Sequence, residues 1–129
     1  MIKHLTKMTI QGKKIRTNNQ KIEEIIHLWH LVPQMELNGD IYAVYSNYES
    51  NFLGDYDLLI GNEEANDNSY SVINAGNYIQ IPVEKATPEG VGEAWQEIWM
   101  NKELEEKRTY QSDFEHYRKD GKIVIYLSV

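Results

Sequence analysis

The chain has 129 residues, a length that suits one domain with one hydrophobic core. It contains no cysteine, which excludes a disulfide framework, a thiolate metal site and a cysteine nucleophile. Its formal net charge of -7 disfavours a nucleic-acid partner, because an acidic protein repels phosphate backbones. The sequence has neither a secretory signal nor the roughly 18 apolar residues of a membrane span, so we expect a cytoplasmic protein.

The first part of the chain predicts a strand followed by a helix. Residues 2–10 alternate loosely between apolar and polar side chains, and Gly12 indicates a turn or bulge after them. Asn18 or Asn19 can cap the helix that follows, and Pro33 ends it. The apolar residues on one face of this helix are Ile22, Ile25, Ile26 and Trp29.

Two strands and a polar loop are predicted next. Residues 41–48 are rich in strand formers, and 55–61 pair back on them as a hairpin after a turn. Residues 62–69 form a polar loop.

The second half repeats this order of elements. Residues 70–73 and 78–82 resemble strands with a break between them, and Pro88 opens a helix. The apolar stripe of this helix is Val91, Ala94, Trp95 and Ile98. Residues 110–117 and 122–129 are strands joined by an Asp-Gly turn. The repeated order predicts one α+β domain over residues 1–129, with an internal duplication and pseudo-two-fold symmetry.

Glu115 is the acidic residue that attracts most interest in the sequence. On a strand it shares a face with Tyr117, since the side-chain period is two, so a carboxylate and a phenol lie side by side. The chain also has nine Tyr and three Trp against two Phe, a balance that suits a pocket or an interface. Spacing alone favours a solvated Glu115 on an edge strand, and a carboxylate in an aromatic pocket is the alternative reading.

Three segments carry a resemblance to a known family. They are the strand pair at 42–48 and 54–61, the stretch 72–78 followed by a Trp-bearing helix at 94–99, and Phe114-Glu115-His116-Tyr117 followed by the alternating strand 123–129. Together they resemble the GyrI-like, or AraC-type effector-binding, family. This module is the ligand-sensing half of multidrug-responsive transcription regulators, and it also occurs as a stand-alone domain.

The resemblance implies two βαββ units whose strands form one curved antiparallel sheet, with two main helices and a central cleft. It also implies that the acidic residue of the F-E-x-Y element, here Glu115, points into the cleft and meets the positive charge of lipophilic, drug-like cations. The family's regulators carry a separate DNA-binding domain, whereas the effector module here begins at residue 1. The implied function is therefore that of a stand-alone small-molecule binding protein that does not itself contact nucleic acid.

The predicted ligand-binding residues come from both halves. Tyr45 and Asn47 share one strand face, Trp95 lies in the apolar stripe of the second helix, and Trp99 follows it by one turn. Members of the family commonly place a pocket-facing aromatic residue after the break, which is Tyr78 here. The complete predicted set is Glu115, Tyr45, Asn47, Tyr78, Trp95, Trp99 and Tyr117.

No catalytic residue, metal site or cofactor is predicted. Glu24 and His27 have the i, i+3 spacing of carboxylate-bridged metal sites, but a solvated face is the better interpretation of a single such pair. Because some relatives are hydrolases that open strained rings, Glu115 as a general base, with Tyr45 or Tyr117 as donor, stays open as an alternative. A third hypothesis for the function is a protein-binding module that inhibits another macromolecule. A homodimer through an exposed strand edge, or a separate regulator protein, also stays open as a partner.

Overall fold

The computed structural model describes residues 1–129 as eight β-strands and three α-helices. In chain order the elements are β1 (Ile2–Leu5), β2 (Met8–Thr17), α1 (Ile22–Leu31), a 3-10 helix (Val32–Met35), β3 (Ile41–Ser46), β4 (Tyr56–Asn62), β5 (Ser69–Ile73), β6 (Gly76–Pro82), α2 (Pro88–Met100), α3 (Lys102–Lys107), β7 (Ser112–Tyr117) and β8 (Ile123–Ser128). No helix combines the length and the apolar character needed to cross a lipid bilayer.

All eight strands form one antiparallel sheet in the order β1-β6-β8-β7-β3-β4-β2-β5. Strands β1–β4 of the first half correspond in order to β5–β8 of the second half. Exchanging each strand for its counterpart gives the same sheet order in reverse, so a pseudo-two-fold axis lies between β7 and β3. The predicted α+β fold with duplicated βαββ units and a curved antiparallel sheet is confirmed. Each unit differs from the predicted βαββ order in one detail, because two strands take the place of its opening strand: β1 and β2 in the first unit, and β5 and β6 in the second.

The division of the opening strand corrects the prediction for residues 2–10. The chain pairs with β6 through β1 and then with β4 and β5 through β2, so residues 2–10 belong to two strands with different neighbours. Gly12, predicted as a turn or bulge, lies within β2 and pairs with Gly61 of β4. Alternation of side chains does not reveal a change of neighbour, because both strands are extended.

Two short links force the sheet to curl. Only two residues separate β1 from β2, yet these strands are first and seventh in the sheet; the link from β5 to β6 joins the eighth and second strands in the same way. In a flat sheet, six strand spacings amount to about 29 Å. A link of this length spans about 11 Å at most, so the two edges must come together.

The curl gives the sheet an inner and an outer face. The inner face is filled by one residue from each of seven strands, namely Ile10, Val44, Leu59, Ile73, Tyr78, Phe114 and Tyr126. The outer face packs against the helices. Leu28 of α1 contacts strand residues of the first half, and Val91, Trp95 and Ile98 of α2 contact those of the second.

The helix ends follow local chemistry only in part. Thr87 caps α2 by accepting a hydrogen bond from the backbone N–H of Gly90 at 3.0 Å, and Pro88 occupies the first turn. The predicted Asn caps of α1 are not formed. Helix α1 begins after Lys21 without a side-chain cap, because Asn19 instead accepts the hydroxyl hydrogen of Tyr56 at 2.7 Å.

The paired glycines of β2 and β4 provide a test of how closely these strands approach. A Cβ atom on Gly61 would lie 1.8 Å from the carbonyl oxygen of Gln11, so Gly61→Ala must force the strands apart. We expect a loss of about 2 kcal/mol or more in unfolding free energy, measured by urea denaturation. The control is Gly92→Ala in α2, where nothing lies within 4 Å and a gain of about 0.5–1 kcal/mol is expected. Equal effects at the two positions would contradict the close approach.

Candidate functional site

A cavity of about 820 Å³ lies on the outer face of the sheet, between α1 and α2. Fourteen of its 22 lining residues are hydrophobic, which makes it an apolar site with a few polar groups. Strand residues form its floor and helix residues its walls. The aromatic residues that line it come from both halves of the chain: Trp29, Tyr45, Tyr48, Phe52, Tyr56, Trp95, Trp99 and Tyr117.

Glu115 lies on the floor of this cavity and is only 2% exposed. Its Oε2 atom accepts hydrogen bonds from the Tyr45 hydroxyl at 2.8 Å and from Trp95 Nε1 at 2.6 Å. Its Oε1 atom accepts a hydrogen bond from the Tyr117 hydroxyl. Three neutral donors therefore hold the carboxylate in place from three different elements.

The register of β3 against β7 explains this arrangement. Glu115 pairs directly with Ala43, and both side chains lie on the outer face. Tyr45 is two residues beyond Ala43 and Tyr117 is two residues beyond Glu115, so each phenol lies on the same face as the carboxylate. Because Ala43 ends at its Cβ atom, the space opposite Glu115 is free for the two larger rings.

Burial determines the protonation behaviour of the cluster. Desolvation raises the pKa of Glu115 above its usual value, while the hydrogen bonds from Tyr117, Trp95 and Tyr45 act in the opposite direction. Desolvation, with the nearby charge of Glu115 as the next cause, also raises the pKa values of Tyr45 and Tyr117. Both phenols therefore keep their hydrogens and act as donors to the carboxylate at neutral pH.

A second buried carboxylate, Asp113, is neutralised within the protein. Asp113 Oδ2 accepts hydrogen bonds from Arg108 Nη2 at 2.8 Å and from the Tyr48 hydroxyl at 2.6 Å, while Oδ1 accepts the backbone N–H of Ser128 at 2.8 Å. Arg108 stacks over the ring of Tyr110 at 4.1 Å. Glu115 has no such cationic partner and is the unneutralised buried charge of the site.

The aromatic rings form a connected shell around Glu115. Trp29 meets Tyr117 edge-on at a centroid distance of 5.0 Å, and Tyr45 meets Trp95 at 5.3 Å. Trp99 stacks with Phe52 at 5.8 Å at the outer end of α2. These contacts fix the orientations of rings on both walls.

Five of the seven predicted binding residues line the cavity. These are Glu115, Tyr45, Trp95, Trp99 and Tyr117. Their common location does not test whether they bind a ligand, so that role stays a proposal.

The structure places Asn47 and Tyr78 elsewhere. Asn47 has a φ of 51°, in the left-handed region, so the alternation of β3 ends there and Asn47 lines a separate polar groove. Tyr78 lies on the inner face of the sheet, where its hydroxyl donates to the carbonyl oxygen of Asn74 at 2.7 Å. The break before β6 gave no indication of which face the first residues of that strand would take.

Several cavity residues were not predicted. If the predicted strand 41–48 alternated to its end, Tyr48 would lie on the face opposite to Tyr45, but the turn at Asn47 brings it to the cavity. Tyr56 was within a predicted strand, and the high tyrosine content was its only signal. Arg108 ends the mixed-charge segment 101–108, a pattern typical of a solvated helix end, yet it is 7% exposed because Asp113 binds it. Ile22 and Ile26, predicted on the apolar face of α1, lie partly exposed at the cavity rim.

Metal chemistry has no support in the side-chain arrangement. No group of three or more His, Asp or Glu side chains is placed to hold a metal ion, and the Glu24–His27 pair lies on the exposed face of α1.

Comparison with known proteins identifies the family. The model of a family described as Cass2, integron-associated effector binding protein, matches residues 1–129. The chain belongs to this family. Membership in the Cass2 family assigns the chain to proteins that bind effector molecules, and the resemblance to GyrI-like effector-binding domains is confirmed. No curated protein sequence matches the chain.

Solved structures share the fold over nearly the whole chain. An integron cassette protein from the mobile metagenome of Vibrio cholerae is 25% identical, with a TM-score of 0.84 over 100% of this chain and 94% of that protein. SAV2435, solved with tetraphenylphosphonium bound, is 16% identical, with a TM-score of 0.74 over 98% and 91% of the two chains. A protein from Staphylococcus aureus MU50 described as a bacterial transcription regulation protein is 17% identical, with a TM-score of 0.75 over 98% and 95%. At these identities the last two show the fold alone.

The buried ion pair yields a stability prediction. Asp113→Asn removes the counter-charge of the buried Arg108 guanidinium, so we expect a loss of about 3 kcal/mol in unfolding free energy. The control is Asp120→Asn, which breaks the half-exposed pair with Arg118 and should cost less than about 1 kcal/mol. Urea denaturation of both variants provides the comparison. A loss at Asp113 no larger than that at Asp120 would contradict the role of the buried pair.

The raised pKa of Glu115 predicts a pH-dependent difference in stability. The folded protein holds the carboxyl proton of Glu115 more tightly than the unfolded chain does. Protonation of Glu115 therefore stabilises the folded state below the pKa of the unfolded chain, and this stabilisation is lost as pH rises through the pKa of the folded state. Glutamine does not titrate. Relative to Glu115→Gln, the native protein should lose unfolding free energy as pH rises from the ordinary carboxyl range through the raised pKa of Glu115.

Urea denaturation across this pH range measures the effect. A difference between the native protein and Glu115→Gln that does not change with pH would show that the proton of Glu115 is not held more tightly in the folded state.

Proposed function

We propose that this protein binds lipophilic organic cations in the cavity, with Glu115 as the buried counter-charge. The observation that carries the proposal is the environment of this carboxylate. It is 2% exposed, lies on the floor of an aromatic cavity, and is bound by three neutral donors but by no cation. A ligand with a positive charge supplies the one component that this arrangement lacks.

Burial of the Glu115 carboxylate carries a cost in desolvation. Removing a carboxylate from water costs several kcal/mol, and hydrogen bonds from neutral donors offset only part of that cost. Arg108 does not neutralise Glu115, because its guanidinium is held by Asp113 at 2.8 Å. The attraction between Glu115 and a cation within the cavity is correspondingly strong, since water does not screen it there.

The lining of the cavity favours a diffuse organic cation over a hydrated metal ion. Aromatic faces attract positive charge by about 0.5–2 kcal/mol each, and Tyr45, Trp95 and Tyr117 all adjoin the carboxylate. A lipophilic cation loses little hydration on entry and buries apolar surface against the helices. The volume of about 820 Å³ lies within the range of about 300–1,000 Å³ that drug-sized ligands occupy.

The comparisons support this choice of ligand. SAV2435, which has the same fold, was solved with tetraphenylphosphonium, a lipophilic cation. The family name describes effector binding rather than a reaction. The hydrogen bonds of Glu115 also count against the alternative of general-base catalysis, because most of its lone pairs are already engaged by Tyr45, Trp95 and Tyr117.

Tetraphenylphosphonium and tetraphenylborate provide the sharpest test, because they have the same shape and opposite charge. The cation should quench tryptophan fluorescence and raise the melting temperature, while the anion should do neither. Glu115→Gln keeps the size of the side chain but removes its charge, so the cation should bind about 30-fold more weakly, corresponding to about 2 kcal/mol. Isothermal titration calorimetry measures both affinities.

The matched control for this experiment is Glu89→Gln. Glu89 also lines the cavity, but its side chain is 83% exposed, so its removal should change the affinity by less than about threefold. Unchanged affinity of Glu115→Gln for the cation, or an equal loss in the two variants, would overturn the assignment of Glu115 as the counter-charge.

A further inference from the structure

We infer that the cavity selects onium ions that carry at most one N–H hydrogen, such as phosphonium, quaternary ammonium and tertiary ammonium ions, over primary ammonium ions of the same skeleton. This inference rests on the proposed function and narrows the class of cation. It follows from the hydrogen bonds that the protein already makes to Glu115. It follows also from the other phenols of the cavity floor, whose hydroxyls donate to protein acceptors.

The carboxylate of Glu115 is nearly saturated before any ligand enters. An ionised carboxylate offers about four lone-pair positions. Tyr45 and Trp95 occupy the two positions of Oε2, and Tyr117 occupies one position of Oε1. One position therefore remains for a hydrogen-bond donor on a ligand.

The other phenols of the floor are also committed to the protein. The Tyr48 hydroxyl donates to Asp113 at 2.6 Å, and the Tyr56 hydroxyl donates to Asn19 at 2.7 Å. The hydrogens of these two hydroxyls are therefore bound within the protein. Arg108, which also lines the cavity, has two buried N–H groups without a partner, at Nε and Nη1, but donors cannot satisfy an N–H group of a ligand. Around Glu115 a ligand therefore meets the negative charge of the carboxylate together with aromatic faces, and both attract a cation without requiring an N–H group.

Protonated amines differ in how many N–H hydrogens must find an acceptor. A primary ammonium has three, a tertiary ammonium has one and a quaternary ammonium has none. In water each of these hydrogens is bonded, and a buried donor left unpaired weakens binding by about tenfold. The single open position on Oε1 can satisfy a tertiary ammonium, whereas a primary ammonium has two further hydrogens that find no carboxylate position and only the neutral, weaker phenol oxygens beside it.

A series with one aromatic skeleton tests this selectivity. The probes are (biphenylmethyl)trimethylammonium, its dimethylammonium form and the primary ammonium, each in competition with tetraphenylphosphonium by tryptophan fluorescence. The trimethyl and dimethyl ions should bind comparably, and the primary ammonium should bind at least about tenfold more weakly. The neutral neopentyl analogue, which has the shape of the trimethyl ion, measures the contribution of apolar surface alone.

Variants separate hydrogen bonding from the extra apolar surface of the methyl groups. Tyr117→Phe keeps the ring but opens a second acceptor position on Oε1, so the preference for the trimethyl over the primary ion should fall severalfold. Tyr56→Phe removes a floor hydroxyl that is bound to Asn19 and not to Glu115, so it should leave this preference unchanged. Tyr45→Phe opens a position on Oε2 and should act like Tyr117→Phe.

The outcomes distinguish this inference from the proposed function. Equal affinities of the native protein for the primary and trimethyl ions would overturn the selectivity while leaving cation binding intact. A preference that shifts equally in Tyr117→Phe and Tyr56→Phe would overturn it as well. Failure of every cation to bind, tetraphenylphosphonium included, would instead overturn the proposed function itself.

Discussion

The two short links between opposite edges of the sheet are the constraint on which the rest of the structure depends. Each link has two residues and joins strands that are six positions apart, so the sheet must curl until its edges meet. The curl encloses one face as a core that needs no helix to cover it. Both main helices are therefore free to pack on the outer face, and the space between them becomes the cavity.

The cavity uses the pseudo-two-fold symmetry and also departs from it. Both halves supply aromatic residues, and the central strands β3 and β7 supply Glu115 and two of the phenols of the floor, Tyr45 and Tyr117. At the centre the two strands differ, because Glu115 of β7 faces Ala43 of β3. One half thus contributes a charge and the other contributes room for it. A duplicated scaffold acquires a single directional site by this difference in side chains.

Sequence reasoning was most successful where the information is local. Periodicity predicted both main helices and the cores of most strands, and the F-E-x-Y element indicated the position of Glu115. It failed where the answer depends on distant partners or on one backbone angle. The turn at Asn47 places Tyr48 at the cavity and Asn47 outside it. Tyr78 lies on the inner face of the sheet, which the sequence of its own strand does not indicate. Arg108 is buried only because the carboxylate of Asp113 binds it.

The strand order has a consequence for how the chain folds. Strand β1 of the first half pairs with β6 of the second, and β5 of the second half pairs with β2 of the first, so each half donates an edge strand to the other. Neither half can complete its own sheet, and the pairings that close the curl join residues more than 55 positions apart. Such high contact order is typical of domains that fold in milliseconds to seconds, in one cooperative step that involves both halves.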